Sequence, residues 1–286
     1  MKLPAFEYAC PATVAEAVTL LASRDDAKAL AGGQSLVPMM AFRIASPSLL
    51  VDLRKLTDLR RIEITKNGVE LGALVRWRDI EDDDRLDTAH PLLKAAIDHV
   101  AHYQIRNRGT VGGSLAHADP AAEMPGLAVA CDAEIDVMGS AGARTVKADD
   151  FFIAPLITAL AADEIIVRVR LPAWPASRRW AFQEFSRRRG DFAMAAAAVF
   201  YDVGPDGKAH NAHVGAIGVA DRPVRLAAAE AEINGRLVDV AVSERAGAAA
   251  SASVDPKADI HASGAYRKSL IGTMVERALQ SASSRT

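Results

Sequence analysis

Hydrophobic and polar positions change rhythm several times along this chain, and each change marks an element. Val14, Ala17, Val18 and Leu21 recur at helical spacing, and Thr13-Val14-Ala15-Glu16 reads as a capping box, so a helix is predicted from about Val14. Residues 28–31 and 48–53 read as short strands on either side of a connection that carries Arg43 and Pro47, giving a small β-α-β-like lobe. A second lobe begins near Leu56. Residues 62–65 and 69–71 flank Asn67-Gly68, the signature of a hairpin with a tight turn. Helices are predicted over 91–103 and 121–130, and strands over 133–137, 144–147 and 164–171. Pro172-Ala173-Trp174-Pro175-Ala176-Ser177 reads as a linker, because two prolines so close together stop regular structure. Beyond it, residues 180–186, 192–202 and 209–219 read as antiparallel strands, with Pro205-Asp206-Gly207 as a turn. Residues 224–233, 238–250 and 264–281 read as helices, and the tail after 281 as frayed. The class is α+β, with a third lobe after the linker.

Length and composition narrow the partners. A chain of 286 residues exceeds the usual size of one hydrophobic core, so two domains are expected. The net charge of −2 implies no nucleic-acid or anionic-membrane partner. The start lacks an apolar signal-peptide core, and no charge-free apolar run is long enough to span a bilayer, so a cytoplasmic location is expected. The two cysteines, Cys10 and Cys131, are too few for an iron–sulfur cluster or a zinc site and read as buried free thiols.

Two segments share one grammar: Ala31-Gly32-Gly33-Gln34-Ser35 and Thr110-Val111-Gly112-Gly113-Ser114, each followed by leucine, Leu36 and Leu115. Glycine reaches positive φ and lets a ligand approach the backbone, and successive free N–H groups in such a turn form an anion seat. One Gly-Gly alone is an ordinary turn. The matched pair predicts two loops that grip one pyrophosphate from opposite sides, with side-chain hydrogen bonds from Gln34, Ser35, Thr110 and Ser114. Neither G-x-G-x-x-G opening a helix after the first strand nor G-x-x-x-x-G-K-[ST] is present. No Ser/His/Asp triad, paired-carboxylate site or base-activated cysteine is recognisable. Arg106 and Arg108 flank Asn107 just before the second segment, either to neutralise phosphate or to brace the loop, and Arg187-Arg188-Arg189 reads as a solvated turn or a partner contact.

The run Ile105-Arg106-Asn107-Arg108-Gly109-Thr110-Val111-Gly112-Gly113-Ser114-Leu115-Ala116-His117-Ala118-Asp119-Pro120-Ala121-Ala122-Glu123 resembles the FAD-binding medium subunits of the molybdenum hydroxylases. That group includes carbon monoxide dehydrogenase, xanthine dehydrogenase and N-heterocycle dehydrogenases such as quinoline 2-oxidoreductase. Its two patterns read roughly A-G-G-x-S-L-x-P and I-R-N-x-G-T-[IV]-G-G-[NS]-[LI]-x-x-[AS]-x-P-x-[AS]-[DE], and both occur here in order. Phe151-Phe152, Thr158-Ala159-Leu160 before Asp163-Glu164-Ile165, and Gly190-Asp191-Phe192-Ala193 extend the likeness over nearly the whole chain.

The resemblance implies an FAD-binding domain of the vanillyl-alcohol-oxidase-like (PCMH) type over 1–175, with lobes 1–55 and 56–175, then an α+β domain over 178–282 of the carbon monoxide dehydrogenase medium-subunit type. It implies cofactor contacts from Ala29, Leu30, Ala31, Gly32, Gly33, Gln34, Ser35 and Leu36, and from Thr110, Val111, Gly112, Gly113 and Ser114. His117 falls at a nucleotide-contacting position, against the alternative of a surface histidine in a turn. Ala122 and Glu123 match the site where an acidic residue bonds a ribose hydroxyl, although Glu123 also suits the first turn of a helix that Asp119 would cap. Leu160 matches an apolar residue near the flavin ring, and Phe192 an aromatic one that is tyrosine in carbon monoxide dehydrogenase-like members. Glu184 stands where xanthine dehydrogenase-like members carry lysine, which reverses the local charge.

The implied role is an electron-transfer subunit. A large subunit would hold the molybdopterin, a small one the [2Fe-2S] clusters, and the assembly would be a dimer of heterotrimers, a heterohexamer. An N-heterocycle or aromatic hydroxylase is favoured over carbon monoxide dehydrogenase. The rivals are a self-sufficient FAD-dependent oxidoreductase and a flavin-free assembly protein.

Overall fold

The computed structural model describes residues 2–285 and builds the chain around three larger sheets and one two-stranded hairpin. Strands β1 (Glu7–Ala9), β2 (Lys28–Leu30) and β3 (Leu49–Asp52) form a parallel sheet in the order β1-β3-β2. Parallel neighbours need crossovers. Here these are α1 (Val14–Ala22) and α2 (Leu36–Ala41). Thr13 Oγ1 accepts from the Glu16 amide at 3.2 Å, while Glu16 Oε2 accepts from the Ala12 amide at 2.8 Å, one residue before the reciprocal partner of an ideal capping box. Ala17, Val18 and Leu21 then pack against Leu49 and Val51. The sequence pattern missed β1, whose three residues are mostly exposed, and α2, which tolerates Pro38 because it lies in the first turn.

The second lobe holds β4 (Ile62–Thr65), β5 (Gly68–Gly72), and the helices α3 (Trp77–Glu81), α4 (Leu86–Ala89), α5 (Pro91–Ile97), α6 (Tyr103–Arg106), α7 (Val111–His117) and α8 (Glu123–Ala130). These are followed by β6 (Glu134–Gly139), β7 (Gly142–Lys147), α9 (Ala148–Phe151), β8 (Phe152–Ala154), β9 (Ile157–Thr158) and β10 (Ile165–Pro172). The antiparallel order β4-β5-β10-β6-β7 puts the last strand between two hairpins. The helix expected over 91–103 is two. The chain breaks at a corner where Ala101 takes φ 44°, and Arg106 Nη1 donates to the carbonyls of Val100 and Ala101, both at 3.1 Å. No glycine or proline marks that corner; packing imposes it, since Gly190 from the third lobe presses its backbone against Ala101 and His102.

The third lobe is the antiparallel sheet β11 (Arg178–Phe185), β12 (Ala195–Val203), β13 (Ala209–Ile217) and β14 (Val224–Arg225), with α10 (Ala227–Ile233), α11 (Val240–Ala252) and α12 (Gly264–Ser283). Residues 224–225 are strand, not the start of a helix, because they pair with β13. Successive side chains of a strand point to opposite faces. Phe182, Ala196, Ala198, Phe200 and Ile217 join the core of the second lobe, while Ala181, Ala195, Ala197, Val199 and Tyr201 pack with the three helices. That double burial explains the unbroken apolar run of β12. Small residues set the spacing: a Cβ on Gly215 would stand 2.5 Å from Ala130 Cβ of α8.

Residues 172–177 break regular structure as expected, yet they are seated rather than free. The Trp174 ring lies 4.4 Å from His90 and 5.2 Å from Phe200, with the Arg178 guanidinium 4.9 Å above it. Arg178 is itself fixed by two hydrogen bonds to Asp202. His90 is fully buried and held uncharged, its pKa pushed down to about 3 by burial, and its Nδ1 accepts from the Leu93 amide to cap α5. Among the described residues no helix is long and apolar enough to cross a membrane. Trp174→Ala removes the clasp between the lobes and is expected to cost about 2–3 kcal/mol, somewhat less than a fully buried aromatic. Urea unfolding measures this, and an unchanged midpoint and slope would show that the clasp does not hold the lobes together.

Candidate cofactor site

The first glycine segment leaves β2 at Leu30 and enters α2 at Leu36. Gly33 has φ 72°, which a side chain rarely adopts. Gly32 needs no unusual dihedral. It needs space, because a Cβ there would overlap the Arg108 carbonyl and stand 2.9 Å from Gly109 Cα. The two segments therefore touch backbone to backbone. Among the described residues, the five amides of Gly32, Gly33, Gln34, Ser35 and Leu36 donate to no protein acceptor. Gln34 Nε2 folds back onto the Gly32 carbonyl at 3.0 Å and leaves those amides open. Five successive unspent N–H groups make a seat for anionic oxygens.

The second segment differs from what the shared grammar implied. Gly112 and Gly113 lie in the first turn of α7, not in a left-handed loop. Their amides are spent: Val111 donates to Val75 O at 2.9 Å, Gly112 to Ala73 O at 2.8 Å, Gly113 to Thr110 Oγ1 at 3.2 Å and Ser114 to Thr110 O at 3.0 Å. Tertiary pairing with residues 73–75 consumes the donors that an isolated loop would offer. A Cβ on Gly112 would stand 2.6 Å from Ala73 Cβ, so this glycine exists for close packing. The expected symmetric grip is corrected to an unequal one. The first segment offers amides; the second is a wall with the Ser114 hydroxyl free and the Thr110 hydroxyl engaged.

Between them lies a cleft of about 680 Å³ lined by Leu30, Ala31, Gly32, Gly33, Gln34 and Thr110. Arg54, Arg60, Arg76 and Arg108 line it too, and sequence reasoning passed over the first three because they come from unrelated stretches. Arg54 Nε pairs with Asp52 at 2.6 Å, and Tyr8 OH donates to the same carboxylate at 2.9 Å. Burial works to raise Asp52, but these hydrogen bonds outweigh it and hold the carboxyl below its ordinary value. Arg76 pairs with Asp79. Arg60 and Arg108 meet no carboxylate among the described residues, leaving two uncompensated cations beside the open amides. The alternatives for Arg106 and Arg108 thus divide. Arg106 braces the corner and pairs with Glu81 at 2.7 Å, and Arg108 faces the cleft.

The other expected contact residues do not line this cleft. Val111 is fully buried, and Ala29, Ser35 and Leu36 are half-buried. His117 is the half-buried last residue of α7, not a turn residue. Ala122 caps α8 without a side-chain bond, and Asp119 shapes the preceding turn by accepting from the Ala121 amide at 2.9 Å instead of capping the helix. Leu160 follows the β8–β9 hairpin, which is tied to the end of α7 by the Leu156 amide donating to Ala118 O. Glu184 is sealed on β11 with its side chain 1% exposed, 3.6 Å from His99. Phe192 is 61% exposed on the loop seated at the Ala101–His102 corner. Arg187 reaches His261, not Glu184. Cys131 is buried, its thiol raised to about 12 by burial, whereas Cys10 is only half-buried.

Comparison with known proteins gives the family of the chain. Residues 4–174 match the FAD-binding domain of molybdopterin dehydrogenases, and residues 180–282 match the carbon monoxide dehydrogenase flavoprotein C-terminal domain. The chain is 39% identical over 286 residues to the nicotine 6-hydroxylase medium subunit of Paenarthrobacter nicotinovorans, covering 100% of both chains. Among solved structures it is similar to quinoline 2-oxidoreductase from Pseudomonas putida 86, with 38% identity, TM-score 0.94 and 99% and 98% of the two chains covered. It is also similar to carbon monoxide dehydrogenase from Hydrogenophaga pseudoflava, with 37% identity, TM-score 0.95 and the same coverage of 99% and 98%.

Glu123, 5% exposed at the start of α8, gives the fold a pH signature. Burial first, then the charge of Glu184, pushes its carboxyl up to about 8 from 4.5. The folded state therefore holds a proton that the unfolded state releases, and stability falls as pH rises from about 5 to 8. Relative to Glu123→Gln, the flavin-free wild type is expected to lose about 2–4 kcal/mol over that interval. Parallel stability curves for the two proteins across this range would refute the assignment.

Proposed function

The chain belongs to the family of FAD-binding subunits of molybdopterin dehydrogenases, and from that membership we propose that it is the electron-transferring medium subunit of an N-heterocycle or aromatic hydroxylase. The observation that carries the reading is the cleft where the unspent amides of Gly32, Gly33 and Gln34 lie beside two uncompensated guanidinium groups, Arg60 and Arg108. Amides and arginines are the donor set for a diphosphate, and the two touching glycine segments leave room for its oxygens. Gly32, Gly33 and Gln34 hold the diphosphate by backbone, Arg108 and Arg60 neutralise it, and Thr110 closes the wall, with the open amides of Ser35 and Leu36 and the free Ser114 hydroxyl next to the cleft in sequence.

We assign the ribityl chain and ring to the side of α7 and α8, where His117 ends α7 and Ala122 and Glu123 open α8, with Leu160, Glu184 and Phe192 as further contacts that the resemblance implies. Bound FAD supplies the redox chemistry, accepting electrons from the [2Fe-2S] clusters of a small partner subunit and yielding them to an external acceptor. Substrate oxidation belongs to a large molybdenum-cofactor subunit. This chain binds, orients and shields the flavin. The likeness to nicotine 6-hydroxylase and quinoline 2-oxidoreductase supports the N-heterocycle preference. We assign the complex to the cytoplasm, as a dimer of heterotrimers.

Gly32→Ala forces the two segments apart and is expected to give folded protein that retains less than about a tenth of its flavin, a loss of 1.4 kcal/mol or more in binding. Flavin absorbance per chain measures this. Full occupancy in a folded variant would remove the glycine cleft from the cofactor site. Purified from its own host, the chain is expected to travel with two unlike partners and to carry no substrate turnover alone. A homo-oligomer active by itself on an organic substrate would overturn the subunit assignment in favour of a self-sufficient oxidoreductase.

A further inference from the structure

Arg267 is a buried cation at the wrong end of a helix. It stands in the first turn of α12, 7% exposed, where the helix dipole favours anions. Burying it there is costly unless every donor is used. Its contacts supply the compensation. Nη1 donates to Met194 O at 2.8 Å and to Gly218 O at 2.9 Å, and Nη2 donates to Asp259 Oδ2 at 2.6 Å. The two carbonyls end two segments of the third lobe. Met194 is the residue before β12 and closes the loop that carries Gly190 and Phe192. Gly218 is the residue after β13, with φ 76°, and a Cβ there would stand 2.7 Å from Ala193 O and 3.2 Å from Met194 O. The two strand ends thus meet backbone to backbone, and one guanidinium nitrogen ties them. Beyond them the chain touches the second lobe at three places. Gly190 presses on the Ala101–His102 corner. The Gly218 amide donates to Pro120 O at 2.9 Å, in the turn before α8. Arg222 Nη1 donates to Asp149 O at 2.8 Å, just ahead of the β8–β9 hairpin.

We propose that Arg267 is a positioning residue for the flavin ring: from the C-terminal domain it clamps the loop of Phe192 and the turn before α8 at one fixed separation. The proposal rests on the ring lying beside α7 and α8, as in the proposed function. Arg267 touches neither cofactor nor substrate and acts through Met194 and Gly218. Its chemistry suits the task. One nitrogen offers a hydrogen to each of two carbonyls, a second nitrogen meets an anion, and the planar fork holds the directions fixed. Asp259 neutralises the charge and orients the fork. The same carboxylate accepts from the amides of His261 at 2.8 Å and Ala262 at 2.9 Å, so the loop before α12 is folded around it. Without the guanidinium, both carbonyls lose their side-chain donor, and the two segments are free to shift against the second lobe.

Amide hydrogen exchange in the flavin-free chain tests the clamp independently of the flavin assignment. Arg267→Met keeps an apolar stem and removes the donors. Peptides covering 119–123, 190–194 and 218–222 are expected to exchange about fivefold faster or more, while those of the parallel-sheet lobe keep their rates. Asp259→Asn, on the loop before α12, leaves every donor of Arg267 in place and is expected to move the same peptides by less. Unchanged exchange at these peptides in a folded Arg267→Met chain, or in Asp259→Asn where that variant alone folds, overturns the clamp. In the FAD-loaded chain, visible circular dichroism of the flavin reads the asymmetry around the ring. Arg267→Met is expected to alter that spectrum at unchanged flavin content per chain, and Arg267→Lys, which returns a cationic donor, to recover it in part. A merely structural role lowers stability and leaves the spectrum of the folded, loaded chain alone. A wild-type spectrum in Arg267→Met, with exchange faster as stated, overturns the link to the ring and leaves the clamp. A wild-type chain that takes up no FAD removes the proposed function and the ring role with it, while the exchange result still decides the clamp.

Discussion

The site depends on backbone meeting backbone. Gly32 lies directly on the Arg108–Gly109 peptide, and Gly112 lies directly on Ala73. No side chain fits at either contact. The first joins the parallel-sheet lobe to the second lobe; the second seats α7 on the edge of residues 73–75, whose carbonyls take its leading amides. Because those contacts fix the distance between the segments, the open amides of residues 32–34 and the guanidinium of Arg108 line one cleft. A methyl group at either glycine would move a wall of the site, not merely loosen a turn.

A second constraint joins the third lobe to the second. One face of its sheet is part of the second lobe's core, and alanines on β12 with Gly126 on α8 and Gly215 on β13 let helix and sheet approach closely. The linker adds Trp174 as a clasp. Such a seam excludes water from whatever polar groups it traps. His90 responds by staying neutral, and its ring nitrogen serves a helix cap. Glu184 has no such bond: neither of its carboxyl oxygens meets a donor.

Division of labour follows from how hydrogen bonds are spent. Every buried backbone donor needs a partner. In the second segment the protein itself supplies it, so α7 is rigid and contributes form. In the first segment the protein supplies none, so those amides stay open. Arg54 and Arg76 are tied to their own aspartates, while Arg60 and Arg108 are left for an anion.

The sequence by itself carried the α+β class, the linker position, most strands of the last two sheets and the two glycine segments, because periodicity and glycine placement are local signals. It also carried the resemblance that points to FAD, since the matching residues are contiguous. Tertiary structure alone decided what those residues do. Whether an amide is open depends on a carbonyl from Ala73 or Val75, and whether Arg106 or Arg108 faces the cleft depends on Glu81 and the corner at Ala101. The kink at that corner, the short helices of four to six residues and the strand Glu7–Ala9 leave too little periodic pattern to be read. Arg54, Arg60 and Arg76 are ordinary surface arginines until the fold gathers them at one cleft. The seam that buries Glu123 and Glu184 joins residues 61 positions apart. Local sequence fixes dihedral preference and one face of an element; burial and hydrogen-bond completion are properties of what the rest of the chain brings alongside.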